Sequence, residues 1–454
     1  MAVNPVVFRE YDIRGVAGTD LTEETVELVG RALGTQVREA GGRTVVVGRD
    51  VRLSGPAFHR AALAGLTAAG CDVVDLGVVP TPLTYFAAKT LPVDGLCMIT
   101  GSHNPPEYNG MKIGVGPSTL YGEGIQAILR QIQAGRFASG AGTVKAHDIV
   151  TPYQDHVVGN IKLGERKLKV VVDAGNGTGG VAIPVFQRLG LEVVPLFVEP
   201  DGRFPNHHPD PTVEKNLEHL KAKVLETGAD LGIAYDGDSD RVGAVDEKGQ
   251  VLWGDQLMIL FSRAILAERP GAAIVGEVKC SFTMYDDIAK HGGRAIMWKA
   301  GHSLIKAKMK EEHAELAGEM SGHIFFGHRW LGFDDGIYSS ARLVELLSKT
   351  DQPLSALLAD VPRTFSTPEL RVDCPEEKKF ELVRRAQAWF SARYKTITVD
   401  GVRVEFPDGW GLVRASNTQP ILVLRFEATS EARLAEIRAL VEGQVTRLLA
   451  ELGG

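Results

Sequence analysis

Three times along the chain the alternation of apolar and polar positions follows one course: a β-branched run, a turn rich in glycine or aspartate, a helix-length stretch, a glycine, and a second β-branched run. The first copy begins at Val45-Val46-Val47, turns at Gly48-Arg49-Asp50, continues through a helical stretch over 57–69 and reaches Val73-Val74 after Gly70. The second runs from Val170-Val171-Val172 and Asp173-Ala174-Gly175, through a helical stretch ending at Gly190, to Val193-Val194. The third runs from Ile274-Val275 and Gly276-Glu277, through 285–290 and Gly292-Gly293, to Ala295-Ile296-Met297. Short apolar runs bounded by glycine predict strands, and their alternation with helical stretches predicts β-α-β units. Past residue 364 the pattern changes: strand-like runs at 369–372, 397–406 and 421–426 alternate with amphipathic stretches over 377–394 and 430–452, which predicts a smaller α+β domain.

A chain of 454 residues is too long for one core. The expected fold class is therefore α/β, with three similar mixed-sheet domains and a smaller C-terminal α+β domain around a central cleft. The expected boundaries are 1–147, 148–250, 251–364 and 365–454. The Gly-, Ala- and Ser-rich patch 134–143 suits a connection near the first of them.

In each repeat the next apolar run leads into a polar cluster. Leu96-Cys97-Met98-Ile99 precedes Thr100-Gly101-Ser102-His103-Asn104-Pro105-Pro106. Residues 231–235 precede Asp236-Gly237-Asp238-Ser239-Asp240-Arg241, and residues 314–317 precede Gly318-Glu319-Met320-Ser321-Gly322-His323. Ligands of open α/β sheets bind beyond the carboxyl ends of strands. The three repeats are thus expected to bring Ser102, the aspartates, and Glu319 with His323 to a shared cleft.

Asp236, Asp238 and Asp240 project three hard oxygen donors from one tight loop, a set suited to Mg²⁺. Without a cation they would repel one another strongly; the bland alternative is a solvated acidic turn. The spacing also opens a calcium-binding EF-hand, with Glu247 at the twelfth position, but Arg241 stands where that loop requires glycine. A serine in a turn is usually only a turn residue. Here Asn109-Gly110-Met111-Lys112 can return a lysine beside Ser102, as proton acceptor or phosphate clamp. No Asp-His relay lies near, so the serine does not read as a hydrolase nucleophile; a phosphorylated serine beside a metal fits better. The glycine-rich stretch 173–180 lacks the regular dinucleotide spacing. Residues 414–420 are nearly all anion-compatible donors, able to hold a phosphate. Tyr11-Asp12-Ile13-Arg14-Gly15, Lys279 and His302 stand open between ion-paired turns and cleft residues on spacing alone.

Apolar content of 44%, charged content of 24% and a formal charge of −7, with no basic stripe, argue against nucleic acid as a partner. No run approaches the ~18 apolar residues of a membrane span, and no secretory h-region opens the chain. A cytoplasmic protein is expected. Cys71, Cys97, Cys280 and Cys374 are far apart and read as buried reduced thiols.

Together these residues resemble the α-D-phosphohexomutase superfamily, in its bacterial phosphomannomutase/phosphoglucomutase branch. The likeness runs from residues 8–15 through 100–113, 236–241, 299–306, 318–323 and 332–336 to 414–420, in order and over essentially the whole chain. It implies Mg²⁺-dependent interconversion of hexose 1-phosphate and hexose 6-phosphate, of mannose and glucose, through phosphorylated Ser102. A hexose 1,6-bisphosphate would be both intermediate and activator. The metal would lie between Asp236, Asp238, Asp240 and the phosphate on Ser102, with Arg241 assisting and Arg14 beside the reacting groups. His323 and Lys112 would move protons, while Tyr11, Lys279 and His302 line the cleft. Glu319 and Ser321 would hold the sugar 3- and 4-hydroxyls, and Arg414, Ser416, Asn417 and Thr418 a phosphate. The small domain would close about a hinge at 364–368, in a monomer or weak dimer with no membrane partner. Thr100-Gly101-Ser102-His103-Asn104-Pro105 departs from the alanine-serine-histidine-asparagine form typical of phosphoglucosamine mutases, the alternative inside the superfamily. Outside it stand a metal-dependent phosphatase phosphorylated on Asp236 or Asp238, and a non-catalytic sugar-phosphate binder.

Overall fold

A computed structural model describes residues 3–416 and 420–453. The valine runs of the first repeat are the buried centre of a mixed sheet ordered Ile13–Val16, Tyr108–Val115, Gly95–Ile99, Thr44–Arg49, Asp72–Val78, Val144–Ala146. Thr44–Arg49 pairs in parallel with both Asp72–Val78 and Gly95–Ile99, the crossover being the helix Gly55–Ala68. The second sheet is ordered Val251–Leu252, Val242–Asp246, Leu231–Tyr235, Lys169–Asp173, Glu192–Leu196. The third is ordered Arg294–Trp298, Ala273–Glu277, Leu316–Gly318, Ile324–Phe326. The fourth sheet is antiparallel, with Ile421–Ala428 and Gly409–Ala415 at its centre and the helices Glu376–Ser391 and Glu431–Glu451 against it. The fold is thus α/β with mixed sheets in four units.

Three local readings differ. The patch 134–143 is a connection, but one docked inside the first unit: Gly140 and Gly142 donate to the Ala68 and Thr67 carbonyls, both at 3.0 Å. It delivers Val144–Ala146 as an edge strand of the first sheet. Val251–Leu252 pairs with Val242–Asp246, so the second sheet reaches two residues past 250. The helix of the third repeat, Phe282–Lys290, starts three residues earlier than its apolar pattern, because Ser281 caps the Thr283 N–H.

In each of the first three sheets one strand turns back through a polar loop into an antiparallel neighbour: Gly95–Ile99 into Tyr108–Val115, Leu231–Tyr235 into Val242–Asp246, Leu316–Gly318 into Ile324–Phe326. These three hairpins carry the polar clusters. One continuous apolar core joins the three units, from Phe86 and Tyr153 through Phe186 and Tyr235 to Phe261 and Tyr338. The loops therefore stand on a common rigid base. The fourth unit has its own core around Phe390, Leu424 and Val441. No helix among the described residues is long and apolar enough to cross a membrane.

Candidate active site

The serine loop is built around an exceptional backbone. Ser102 has a φ of 50°, in the left-handed region. Its N–H donates to Thr100 Oγ1 at 2.8 Å, and its Oγ donates to Asp236 Oδ2 at 2.9 Å with His103 Nδ1 at 3.1 Å. Burial, then the charges of Arg241 and Arg14, hold His103 well below the usual imidazole range, so it is neutral.

Asp236, Asp238 and Asp240 are fully buried. Their loop is pressed against the glycine-rich turn of 173–180. Thr178 donates to the Gly237 carbonyl at 3.3 Å and meets Ser239 Oγ at 2.9 Å. A Cβ added at Gly177 would lie 2.6 Å from that carbonyl oxygen. The turn that offers no dinucleotide fingerprint thus cradles the aspartates. Asp238 Oδ2 accepts from Thr81 at 2.5 Å, Thr100 at 3.0 Å and Lys112 Nζ at 3.1 Å, and Lys112 also pairs with Asp240. Burial and the neighbouring Asp238 and Asp240 charges push Asp236 well above the usual carboxylate range. Burial acts upward on Asp238 too, but Lys112 and Thr81 hold it below that range. Burial alone would lower Lys112, yet the two aspartates hold it well above its usual value, so it is a fixed cation.

One oxygen from each aspartate lies within 4.8 Å of the others. Asp238 Oδ1 and Asp240 Oδ1 are buried without a hydrogen-bond partner. Orphaned hard oxygens in this number fit a divalent cation. Glu247 accepts from the Ser355 N–H at 3.1 Å, which removes it from any metal loop.

His323 reaches both loops. Its Nε2 accepts from Arg241 Nε at 2.9 Å, and its Nδ1 stands 3.3 Å from Asp334 Oδ2 and 3.6 Å from Asp240 Oδ1. His302 stacks on it at 5.4 Å, its own Nδ1 3.4 Å from the same Asp334 oxygen. Lys306 Nζ holds the other Asp334 oxygen at 3.0 Å. Although burial acts upward, Lys306 and the two histidines keep Asp334 well below the carboxylate range. Tyr11 sits edge-on to His302 and donates to the Ala300 carbonyl at 2.9 Å. Arg14 donates to Asn104 Oδ1 at 2.8 Å and pairs with Asp12.

A second cluster lies beyond Tyr11. Glu319 Oε1 accepts from the Gly301 N–H at 2.6 Å, and half-buried Ser321 sits in the turn that the Gly322 N–H closes onto the Glu319 carbonyl. Lys279 pairs with Glu369 at 2.7 Å and Glu277 at 3.6 Å. Arg414 pairs with Asp400 at 3.0 Å, and Ser416 is buried behind it. Burial pulls Arg414 down, but Asp400, Tyr11 and Glu277 hold it above its usual value. Asn417 and Thr418 lie outside the described residues.

Tyr11, Arg14, Ser102, Lys112, Arg241, His302 and His323 line one cavity of about 500 Å³. Lys279, Glu319, Arg414 and Ser416 are not among its lining. Arg9, His208 and Arg371 line it as well, and Asp12 is the one carboxylate among its described lining residues. A cleft this cationic is built for phosphate. Sequence reasoning assigned no role to Arg371, His208, Asp334 or Lys306. Lys306 and Asp334 lie in the segments 299–306 and 332–336 that carry the family likeness, whereas Arg371 and His208 offer only charge, which does not say which surface a residue faces.

Models of the phosphoglucomutase/phosphomannomutase family match in order: alpha/beta/alpha domain I over residues 5–139, domain II over 151–249, domain III over 253–365 and the C-terminal domain over 369–444. The chain belongs to this family. It is 51% identical to a phosphomannomutase/phosphoglucomutase of Pseudomonas putida, over 98% of this chain and 96% of the relative. It is 46% identical to a phosphoglucomutase of Neisseria gonorrhoeae, over 95% of each. A crystal structure of a phosphoglucomutase/phosphomannomutase family protein from Burkholderia thailandensis superposes with a TM-score of 0.94, at 46% identity over 98% of each chain.

Proposed function

We propose that the chain is an intramolecular phosphotransferase interconverting hexose 1-phosphate and hexose 6-phosphate, of mannose and glucose, through phosphorylated Ser102 and a hexose 1,6-bisphosphate. One observation carries the reading: a buried serine Oγ stands 2.9 Å from Asp236 in a loop of three aspartates, at the wall of a cationic cleft. In the first half-reaction the bond between phosphorus and Ser102 Oγ breaks and a bond forms to the free hydroxyl of the sugar monophosphate. That hydroxyl's proton passes to the enzyme. The bisphosphate then turns round, its other phosphoryl group returns to Ser102 Oγ, and the sugar oxygen left behind takes a proton back.

His323 is the proton acceptor in this reading. In the resting arrangement Arg241 engages its Nε2, while Nδ1 lies 3.3 Å from Asp334 and 3.6 Å from Asp240. When Arg241 turns onto the transferring phosphoryl group, His323 Nε2 is freed, so charge stabilisation and general-base readiness arise together. Lys112, held charged by two carboxylates, acts as the fixed cation rather than as a base. Asp236, Asp238 and Asp240, with an oxygen of the phosphate on Ser102, would hold Mg²⁺, which neutralises charge on the phosphoryl group when bound. Arg14 guides the incoming phosphate. Arg414 and Ser416, with Asn417 and Thr418, hold the phosphate that is not reacting. Glu319 and Ser321 hold the sugar hydroxyls, and Tyr11, Lys279 and His302 line the path between the two ends.

The same reading divides the chain near residues 147, 250 and 364, in keeping with the four matched segments. It describes a cytoplasmic monomer or weak dimer acting on phosphosugars without nucleic-acid or membrane partners. Four free, buried cysteines suit a reducing compartment. Phosphorus NMR with Mg²⁺, a trace of glucose 1,6-bisphosphate, and glucose, mannose or glucosamine 1-phosphate tests it. Glucose and mannose 1-phosphates are expected to become 6-phosphates, and Ser102→Ala to abolish the conversion. Release of inorganic phosphate that survives Ser102→Ala would replace the mutase by an aspartyl-phosphate phosphatase.

A further inference from the structure

The φ of 50° at Ser102 places a β-carbon-bearing residue where few sit, and such a conformation persists only when its surroundings over-determine it. Here the surroundings are chiefly one side chain. Arg52, 0% exposed, donates from Nη2 to the carbonyls of Ser102 at 2.8 Å and Asn104 at 2.6 Å. Its Nη1 donates to the carbonyls of Pro105 at 2.5 Å and Tyr108 at 2.8 Å. Its Nε donates to Asp50 Oδ2 at 3.2 Å. The same Asp50 oxygen accepts from Thr100 Oγ1 at 2.8 Å and from the Gly101 N–H at 3.2 Å. One ion pair therefore grips the serine loop on both sides of Ser102.

The second domain closes over the far side of this pair. The Phe204 ring centroid lies 5.3 Å from the Arg52 guanidinium carbon. Gly202 rests on the backbone of Val51 and Arg52, where an added Cβ would lie 2.7 Å from Arg52 Cα. Burying a guanidinium and a carboxylate is costly, and apolar side chains would fill the same volume at less expense. What apolar side chains cannot supply is a planar fork that satisfies four carbonyl oxygens in fixed directions.

We propose that Asp50 and Arg52 are positioning residues for phosphoryl transfer: they hold the serine loop in the strained turn that aims Ser102 Oγ at the aspartate loop, and Gly202 and Phe204 tie that setting to the domain carrying the aspartates. The inference rests on the reading of Ser102 as the phosphoryl carrier. Arg52 reaches the reaction only through the loop. Weakening it leaves the cationic cleft intact, so sugar phosphate still binds while Oγ departs from its line of transfer. Loss of aim lowers kcat and leaves KM alone. It also lets water reach the phosphoserine, whose hydrolysis yields serine and inorganic phosphate.

The test uses the full chain as wild type, Ser102→Ala, Arg52→Lys and Gly202→Ala. Phosphate on Ser102 is read by intact mass, followed by kcat, KM and inorganic phosphate released per turnover, with glucose 1-phosphate and glucose 1,6-bisphosphate. Lysine keeps the charge and loses the fork. Arg52→Lys is expected to lose about a hundredfold in kcat, the scale of a roughly 1 Å misplacement. Its KM should stay within about twofold and its phosphate release per turnover should rise. Gly202→Ala, which presses from the second domain on the backbone of Val51, Arg52 and Leu53 without altering the Arg52 side chain, should show the same split in smaller measure. A folded Arg52→Lys with wild-type kcat, or a loss confined to KM, overturns the proposal. Should Arg52→Lys fail to fold, wild-type kcat in Gly202→Ala overturns it instead. A wild type without phosphate on Ser102, with Ser102→Ala still turning over, would overturn the functional reading itself, a different outcome from normal turnover in Arg52→Lys.

Discussion

Two adjacent carboxylates show how far the environment of a single residue decides its chemistry. Asp334 is held ionised by Lys306 and two histidines. Its neighbour Asp335 faces the apolar core, where it caps the helix Gly336–Ser348 by accepting the Tyr338 N–H at 2.9 Å and also accepts from the Tyr153 hydroxyl at 2.9 Å. Burial, only partly offset by those donors, pushes its carboxyl up to about 7. In the unfolded chain an aspartate titrates near ~3.9. The folded state therefore keeps a proton that the unfolded state has lost. The stability this group contributes is fully present below about pH 4 and is lost as pH rises through about 7. Asp335→Asn keeps an Oδ1 for both donors and cannot ionise. Its melting temperature at pH 8 is expected to equal or exceed that of the wild type, with a shallower fall between pH 5 and 8. Parallel melting curves across that range would show that Asp335 titrates normally.

Among the elements, the turn of 173–180 is the clearest case of a motif whose composition suggests one task and whose position gives it another. Its Gly177 is a packing glycine: a methyl group there meets the Gly237 backbone at 2.6 to 3.1 Å, and backbone cannot swing aside as a side chain can. Gly177→Ala is expected to displace the aspartate loop and weaken divalent-cation affinity by about 10–100-fold, the usual effect of disturbing the supports of metal ligands. Calorimetric titration with Mg²⁺ or Mn²⁺ checks this, and unchanged affinity would free the turn of any such role. What sequence pattern reveals and hides follows the same division. The strands were legible because Val45-Val46-Val47 and its counterparts are buried on both faces and so nearly wholly apolar. The site loops were legible because each directly follows such a strand. The helix Glu23–Glu39 and the strand Gly409–Ala415 went unread. The roles of Arg52 and Asp50 did as well, because the groups they hold, backbone carbonyls for Arg52 and the Thr100 hydroxyl and Gly101 N–H for Asp50, lie about fifty residues away in the sequence. Arg371 reaches the cleft only because the fourth unit docks there.

At the scale of the molecule, that docking is concentrated on one short segment. Arg403 donates to the carbonyls of Val278 and Cys280, both at 2.8 Å, and Arg425 to that of Lys279 at 2.6 Å. Glu427 accepts from Ser281 Oγ at 2.6 Å, and Trp410 and Leu412 pack on Val278. These contacts at residues 278–281 make a pivot, and beyond them the Ala300 N–H donates to Asp400 Oδ2 at 3.1 Å, a bond that a rotation would have to open. The expected hinge at 364–368 is itself woven into the fourth sheet. Phe365–Ser366 pairs with Ile421–Ala428, and the Thr367 N–H donates to the Phe426 carbonyl at 3.0 Å. The residues left to absorb a rotation therefore precede it, at Pro362 and Arg363, since Arg263 holds Asp360 at 3.0 Å and Val361 packs on the core. A phosphoserine must be kept from water between half-reactions, and a domain that carries both Arg371 and Arg414 gains charge-assisted hydrogen bonds by closing on a bisphosphate. Small-angle X-ray scattering with and without glucose 1,6-bisphosphate is expected to show a smaller radius of gyration in the complex. Substituting proline at Arg363, just ahead of the sheet, should blunt that change by restricting the backbone on which the rotation depends. Superimposable profiles at saturating bisphosphate would mean that the cleft excludes water in its resting form, and that the fourth domain is a fixed wall of the site rather than its lid.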